Sequence, residues 1–117
     1  MKLKEIKKIL EAEVIVGGDY LDKEIKMACG SDLMSDVLAF IKSNSLLLTG
    51  LTNPQVIRTA EMSEVVAICF VRGKKPQNDT IKLAREKEMP LLATKFSMYE
   101  SCGRLYKRGL PGCDEKE

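Results

Sequence analysis

The sequence predicts an α/β fold of three layers, with a mainly parallel sheet between crossover helices. From residue 45 onward, apolar runs and helical patterns alternate in the order strand, helix, strand, helix, strand, helix, with short connections. A β-hairpin joins two antiparallel strands by a short turn and has no helix between them. Right-handed crossovers onto a parallel sheet place a helix between successive strands and so produce this order. Residues 64–71 are also apolar on both faces, as a central parallel strand is.

The first three elements precede this alternating region. Residues 2–12 carry Leu3 and Ile6 on an apolar stripe opposite lysines, which predicts a helix. The β-branched run 13–17 predicts a strand closed by two glycines. Residues 24–30 alternate apolar and polar side chains, which is the period of a half-buried strand.

A second helix is expected to follow, with Ser31 or Asp32 as its N-cap. Its apolar face is predicted to contain Leu33, Met34, Val37, Leu38 and Ile41. Residues 45–49 then form an apolar strand that ends at Gly50.

The next helix begins at Asn53 and Pro54, which suit the N-cap and the first helical position. After the central strand 64–71, residues 77–88 predict a helix and residues 89–93 a short strand.

The last helix begins with a capping box, in which Ser97 can bond the backbone N–H of Glu100 and Glu100 can reach back. Its buried side chains are predicted to be Met98 or Tyr99, Cys102, Leu105 and Tyr106. We expect one domain over residues 1–110 and a frayed tail over residues 111–117.

Length and composition indicate one ordinary globular domain. The 117 residues are 44% hydrophobic and 31% charged. The net charge of +2 is too nearly balanced for general affinity to nucleic acid or an anionic membrane. No apolar run approaches the length of a membrane span, and no apolar segment follows the basic N-terminus. The sequence therefore predicts a cytoplasmic protein with neither nucleic acid nor membrane among its partners.

Histidine is absent, which excludes every site that needs an imidazole. The four cysteines have neither zinc-finger nor ferredoxin spacing, and Cys69 lies in the apolar run of the central strand. A metal held by Cys29, Cys102 and Cys113 is conceivable, but reduced thiols without a metal or cofactor are the preferred interpretation.

Loops that follow parallel strands meet at one edge of a sheet, where ligands bind in open α/β folds. Four such loops are predicted and three of them lead into capped helices. Lysines accompany them, which favours an anion such as a phosphate or nucleotide. The candidate ligand-binding residues are Gly30, Ser31, Gly50, Thr52, Asn53, Gly73, Lys74, Lys75, Thr94, Lys95 and Ser97. The alternative is that the polar residues only cap helices and the lysines are solvated.

The sequence lacks the motifs of a P-loop, a dinucleotide fingerprint and a nucleophile elbow. We therefore predict a non-enzymatic module. The alternative is an enzyme, either a phosphotransferase or a thiol-based redox protein that uses Cys29 or Cys113.

Six segments together resemble the DRTGG domain family, over roughly residues 3–110. They are residues 46–50, 56–60, 66–73, 80–84, 89–94 and Ser97. Members occur as the N-terminal domain of HPr kinase/phosphorylase, inside phosphotransacetylases, between CBS domains of pyrophosphatases and as stand-alone proteins. The fold of the family is related to the N-terminal domain of the Mur ligases.

The resemblance implies a regulatory or oligomerisation module, since the catalytic parts of those larger proteins lie outside their DRTGG domains. Many members carry a Gly-Asp-Arg segment after this strand, where this chain has residues 50–53, Gly-Leu-Thr-Asn, so a ligand bound through that charged pair is not implied here. The expected function is to sense a phosphorylated metabolite or nucleotide, or to contact a partner protein.

A homodimer is expected because the apolar residues exceed what one small core can hold. The surplus candidates are Met34, Phe40, Met62, Phe96 and Met98.

Overall fold

A computed structural model describes residues 1–114 of the chain, in which five strands form one sheet. The strands are β1 (Glu13–Val16), β2 (Met27–Gly30), β3 (Ser45–Thr49), β4 (Ala67–Phe70) and β5 (Leu91–Ala93). Their order across the sheet is β1-β5-β4-β3-β2. Strands β2 to β5 are parallel and β1 is antiparallel to β5, which confirms the predicted α/β class with a mainly parallel sheet.

Helices cover both faces of this sheet. They are α1 (Leu3–Ile9), α2 (Met34–Phe40), α3 (Pro54–Met62), α4 (Asn78–Glu86) and α5 (Met98–Lys107), with a 3-10 helix at Gly18–Tyr20. Side chains of α1 and α5 pack with Leu46 and Leu48, while those of α2, α3 and α4 pack with Leu47. Successive side chains of a strand point to opposite faces, so β3 contributes to both cores. No helix within residues 1–114 has the length and apolar character needed to cross a bilayer.

Helix α2 differs from its predicted form. Leu33 and Leu38, which were expected on the buried face, are 57% and 48% exposed, whereas Val37 is fully buried. The helix buries Val37 fully and Met34 and Ile41 in part, and Leu33 and Leu38 lie outside this contact with the core. Neither predicted cap is its N-cap residue: Leu33 takes that place, and the Ser31 hydroxyl accepts a hydrogen bond from the Leu33 N–H at 3.1 Å.

Helix α5 begins at its predicted cap, because the Ser97 hydroxyl accepts from the Glu100 N–H at 3.2 Å. The Glu100 carboxylate accepts from Arg104 Nε at 2.8 Å instead of reaching back. Of the alternatives Met98 and Tyr99, Met98 packs against the core and Tyr99 is 90% exposed. The prediction that Tyr106 is buried is wrong, since it is 64% exposed. The buried positions are Ser101, two residues after Tyr99, and Leu105, one residue before Tyr106.

The segment after α5 is packed rather than frayed as far as it is described. Leu110 and Cys113 are buried, and the Ala28 N–H donates to the Pro111 carbonyl at 2.9 Å. Ala28 and Gly112 form a parallel bridge, so the segment adds to the outer edge of β2. The rest of the predicted tail, residues 115–117, lies outside the described residues.

Candidate functional site

The predicted loops lie at one edge of the sheet, because β2 to β5 are parallel and all end there. We call this the carboxyl edge; its loops are residues 30–31, 50–53, 72–75 and 94–97. The antiparallel strand β1 begins at the same edge, which brings Glu11 and Glu13 beside the loops. Sequence reasoning did not anticipate these two carboxylates.

On the β2 and β3 side of the carboxyl edge, a carboxylate occupies the place expected for an anion. Asp32 Oδ1 accepts from the Gly50 N–H at 2.7 Å and from the Thr49 hydroxyl at 3.1 Å. A Cβ built on Gly50 would lie 3.5 Å from Asp32 Oδ1 and 3.7 Å from Arg72 Nη2. The amide that could have bound a phosphate is thus already occupied.

On the β4 and β5 side, the two loops are bound to each other through their backbones. The Arg72 N–H donates to the Phe96 carbonyl at 2.7 Å, and the Gly73 N–H donates to the Thr94 carbonyl at 2.9 Å. Arg72 and Gly73 have φ values of 59° and 68°, a left-handed turn that glycine adopts readily. The Thr94 hydroxyl donates to the Leu10 carbonyl at 2.6 Å, so this side chain holds α1 to the sheet.

A small cavity of about 230 Å³ opens between these loops and the start of β1. Four of the predicted residues line it: Gly73, Lys75, Thr94 and Lys95. Lys75 is paired with Glu13, and Lys95 Nζ lies 3.7 Å from Glu11. Because each lysine faces a carboxylate, a bound phosphate would compete with charges that the protein itself supplies.

The remaining predicted residues have structural contacts. Asn53 Oδ1 caps α3 by accepting from the Gln55 N–H at 3.0 Å. The Thr52 carbonyl accepts from the Thr80 hydroxyl at 2.7 Å, which ties its loop to α4. Gly30 lies under α5, and Lys74 is exposed. Ligand binding by the carboxyl edge stays a prediction.

Larger concave surfaces flank α5. An apolar cavity of about 400 Å³ lies between α5 and the segment that follows it. A second, basic cavity of about 420 Å³ lies on the other side of the exposed helix face. Both are lined by Tyr99 and Gly103, so they adjoin, and we call the two together the α5 groove. The apolar cavity is further lined by Tyr106, Leu110, Pro111 and Gly112, and the basic cavity by Glu100, Arg104, Lys107 and Arg108.

The spacing of residues along α5 produces this groove. Tyr99, Gly103 and Tyr106 are four and three residues apart and therefore share one helix face. No atom of residues 1–114 outside the immediate helix backbone lies within 4 Å of a Cβ built on Gly103, so the groove is open at its centre. Arg104 is held in place, with its guanidinium 3.9 Å from the centre of the Phe96 ring.

The electrostatics of the two cavities differ. The basic cavity combines three cations with one carboxylate, which leaves an excess of positive charge. The apolar cavity is lined by hydrocarbon, two tyrosine rings and Cys102, without any ionised side chain. Side by side, they can accept a molecule with an aromatic or apolar part and an anionic part.

Three of the four cysteines have raised pKa values, the opposite of what nucleophilic catalysis requires. Burial raises the pKa of Cys29 to about 11 and that of Cys69 to about 12, and it also raises the pKa of Cys102. A reactive cysteine has a lowered pKa. Within residues 1–114, no group of three or more cysteine or acidic side chains is arranged to hold a metal. The suggested metal site at Cys29, Cys102 and Cys113 thus has no geometric support.

Sequence reasoning missed the α5 groove because it assigned Tyr106 to the core, and Tyr99 as an alternative to Met98. The available signal was the pattern of Tyr99, Gly103 and Tyr106 at helical spacing, with Lys107 and Arg108 next to it. A glycine inside a helix weakens it, which is a reason to look for a ligand or a close neighbour at that position.

Comparison with known proteins gives one family and one fold. The family model of the DRTGG domain matches residues 5–107. None of the curated proteins compared with the chain matches it.

A solved structure of the CBS and DRTGG domains of the regulatory region of Clostridium perfringens pyrophosphatase, complexed with the activator diadenosine tetraphosphate, superposes with a TM-score of 0.69. The two sequences are 18% identical, and the match covers 94% of this chain and 47% of that one. The chain therefore spans about half the length of that structure, and at this identity the likeness shows the fold.

Proposed function

This chain belongs to the DRTGG domain family, and on that premise we propose that it is a non-enzymatic regulatory module that binds a nucleotide in the α5 groove. The observation that carries the proposal is the junction of an apolar cavity and a basic cavity across Gly103. Their volumes of about 400 and 420 Å³ are within the usual range for small-molecule sites.

The apolar cavity suits a nucleobase. Tyr99 and Tyr106 present exposed rings on the same face of α5, and a base stacked on a tyrosine gains about 1–3 kcal/mol. Gly103 lies between them and has no side chain, so a flat ring can approach the helix backbone.

The basic cavity suits the phosphate groups. Lys107 and Arg108 are exposed in the last turn of α5 and its C-cap, and Arg104 is fixed by its contacts with Phe96 and Glu100. Guanidinium groups bind phosphate oxygens with two parallel hydrogen bonds, and lysine adds a point charge.

The solved regulatory region supports this ligand class. Its activator, diadenosine tetraphosphate, contains adenine rings and phosphates, which is the combination that the two cavities are suited to bind. The phosphorylated ligand expected from the sequence thus keeps its chemical class, while the site that we propose moves from the carboxyl edge to α5.

A thermal-unfolding experiment tests both the ligand class and its location. We expect AMP, ATP or diadenosine tetraphosphate to raise the unfolding midpoint, since a ligand at a hundredfold excess over its Kd stabilises by about 2.7 kcal/mol. The double variant K107Q/R108Q should lose this shift, whereas the matched variant K74Q/K75Q at the carboxyl edge should keep it. The reverse result would locate the site at the carboxyl edge, and no shift with any of the three would refute nucleotide binding.

A separate experiment, incubation with ATP, tests the proposal that the chain is not an enzyme. ATP incubated with the chain and magnesium should be recovered unchanged by chromatography, because the chain has no histidine and Cys29, Cys69 and Cys102 have raised pKa values. Formation of ADP or of a phosphorylated chain would instead favour a phosphotransferase.

A second proposal concerns assembly. We propose a homodimer that buries the apolar patch of α2 and α3, defined by Leu33, Leu38, Phe40 and Met62. These side chains are 57%, 48%, 68% and 71% exposed. Twofold dimers are the commonest way to cover such a patch.

A further inference from the structure

Three cysteines lie where the segment after α5 meets the edge strand β2. Cys29 is in β2, Cys113 follows the bridge between Ala28 and Gly112, and Cys102 is on α5. A Cβ built on Gly30 would lie 2.9 Å from the Cys102 sulfur, so this third thiol is near the end of β2. All three are free thiols.

An isolated bridge brings Cys113 close to Cys29. Ala28 and Gly112 are partners in this parallel bridge, and each cysteine directly follows one of them, Cys29 within β2 and Cys113 at the start of a turn. Bridge partners on neighbouring chain segments lie about 4.8 Å apart, and the two cysteines follow directly after that pair. That separation is within the range of roughly 4.4–6.8 Å between Cα atoms that a disulfide requires.

A contact with β3 places the Cys113 side chain on the same face of the sheet as Cys29. Ser45 is the partner of Met27 on β3, and Met27 and Cys29 point to the same side of β2. Ser45 Oγ lies 3.4 Å from the Cys113 sulfur. Cys102 belongs to α5, which covers the opposite face of the sheet.

We propose that Cys29 and Cys113 are a disulfide-forming pair, which an oxidant of the peroxide class converts reversibly into a bond between β2 and the C-terminal segment. The Cys29 thiolate attacks one oxygen of hydrogen peroxide, which gives a sulfenic acid and releases water once a proton is taken up. The Cys113 thiol then displaces the hydroxyl group, so that the S–S bond forms and a second water leaves. Two thiols lose two electrons, and one peroxide gains them.

The exposure of the two thiols determines that Cys29 reacts with the peroxide first and Cys113 second. Cys29 is half-buried and reachable from solvent, whereas Cys113 is 8% exposed and faces Ser45. Burial raises the pKa of Cys29 to about 11, and Cys113, Asp114 and Cys102 add to the shift, so the thiolate is rare at neutral pH. The reaction is therefore slow at pH 7 and faster at higher pH, as expected for a stabilising bond rather than a redox catalyst.

The bond would act on the wall of the apolar cavity. Leu110, Pro111 and Gly112 line that cavity and immediately precede Cys113. Fixing Cys113 to β2 holds this wall in place, and an effect on nucleotide binding is a consequence that rests on the proposed function.

Peptide mapping of the full chain tests the pair directly. The reduced protein is treated with hydrogen peroxide at pH 8.5, alkylated, digested without reduction and analysed by mass spectrometry. We expect one intramolecular cross-link, between the peptides of Cys29 and Cys113, that dithiothreitol reverses. The C102S variant should give the same cross-link, and C29S and C113S should give none. A cross-link to Cys102, or oxidation without any cross-link, would overturn the proposal.

Thermal unfolding provides a second readout that needs no variant. The oxidised chain should unfold at least about 5 °C above the reduced chain, because the bond closes a long loop. An equal or lower midpoint would contradict a stabilising disulfide. Titrating ATP into the oxidised and the reduced chain distinguishes failure of the proposed function from failure of the proposed disulfide. If neither form binds ATP, nucleotide binding is refuted, but the cross-link between Cys29 and Cys113 is unaffected.

Discussion

Asp32 shows how one side chain organises the carboxyl edge of the sheet. Its carboxylate accepts two hydrogen bonds from residues at the end of β3, the Gly50 N–H and the Thr49 hydroxyl. It precedes α2, so it connects that helix to the central part of the sheet. The sequence suggested a cap at this position, and the actual contact is a longer-range bond to the neighbouring strand.

We predict that Asp32→Ala lowers the free energy of unfolding by about 1–3 kcal/mol, because the Gly50 N–H loses a charged acceptor. Asp36→Ala is the matched control: it removes a carboxylate from the first turn of α2, where it contributes about 0.3–1 kcal/mol through the helix dipole. Urea denaturation of both variants measures the difference. Equal losses would show that the bonds to β3 contribute nothing.

The Cys29 thiol provides a prediction of pH dependence. Its pKa is about 11 in the folded chain, above the value of about 8.5 for an unperturbed cysteine. Between these two pH values the unfolded chain releases the proton first, so this group makes stability fall as pH rises. Alkylation of Cys29 by iodoacetamide, followed by mass spectrometry, should accelerate up to about pH 11. A midpoint at or below about pH 8.5 would contradict the burial of this thiol.

At the scale of elements, the packing of α5 against β2 depends on Gly30. A Cβ at this position would lie 2.9 Å from the Cys102 sulfur and 3.3 Å from two atoms of Met98. We therefore expect Gly30→Ala to cost about 1–3 kcal/mol by overpacking. Gly18→Ala is the control, since no described atom lies within 4 Å of its Cβ position. A Gly30→Ala variant as stable as Gly18→Ala would show that α5 shifts freely.

Some elements could be predicted because their residues determine them locally. Strand β3 has its predicted bounds, since three consecutive leucines require burial on both faces. Helix α3 begins at its predicted cap, because the Asn53 side chain and Pro54 suit only a helix start.

Other elements depend on what the rest of the fold leaves uncovered. Leu38 and Tyr106 are apolar enough for a core, yet they are 48% and 64% exposed, because the packing of the whole fold decides which apolar side chains are covered. The position of the carboxyl edge followed from the parallel direction of the strands. The pattern of Tyr99, Gly103 and Tyr106 marked one face of α5, but the apolar cavity beside it could not be predicted, because it needs the segment at Pro111 to pair with the distant strand β2.

For the whole molecule, the apolar patch of α2 and α3 predicts a dimer. Light scattering should give twice the 13.1 kDa of one chain. Phe40→Lys should return the mass to that of a monomer, because it places a charge in the patch where Phe40 is 68% exposed. Asn78→Lys adds the same charge on the exposed start of α4 and should leave the dimer intact. A wild-type mass near 13.1 kDa would refute the dimer.

The central claim is that a nucleotide binds in the α5 groove, and nuclear magnetic resonance tests it most directly. In a ¹⁵N-labelled chain titrated with ATP, the amide signals of Gly103, Tyr106 and Gly112 should shift progressively and saturate. Those of Gly50 and Gly73 at the carboxyl edge should stay in place. Shifts confined to Gly50 and Gly73, or no saturable shift at any position, would contradict the claim.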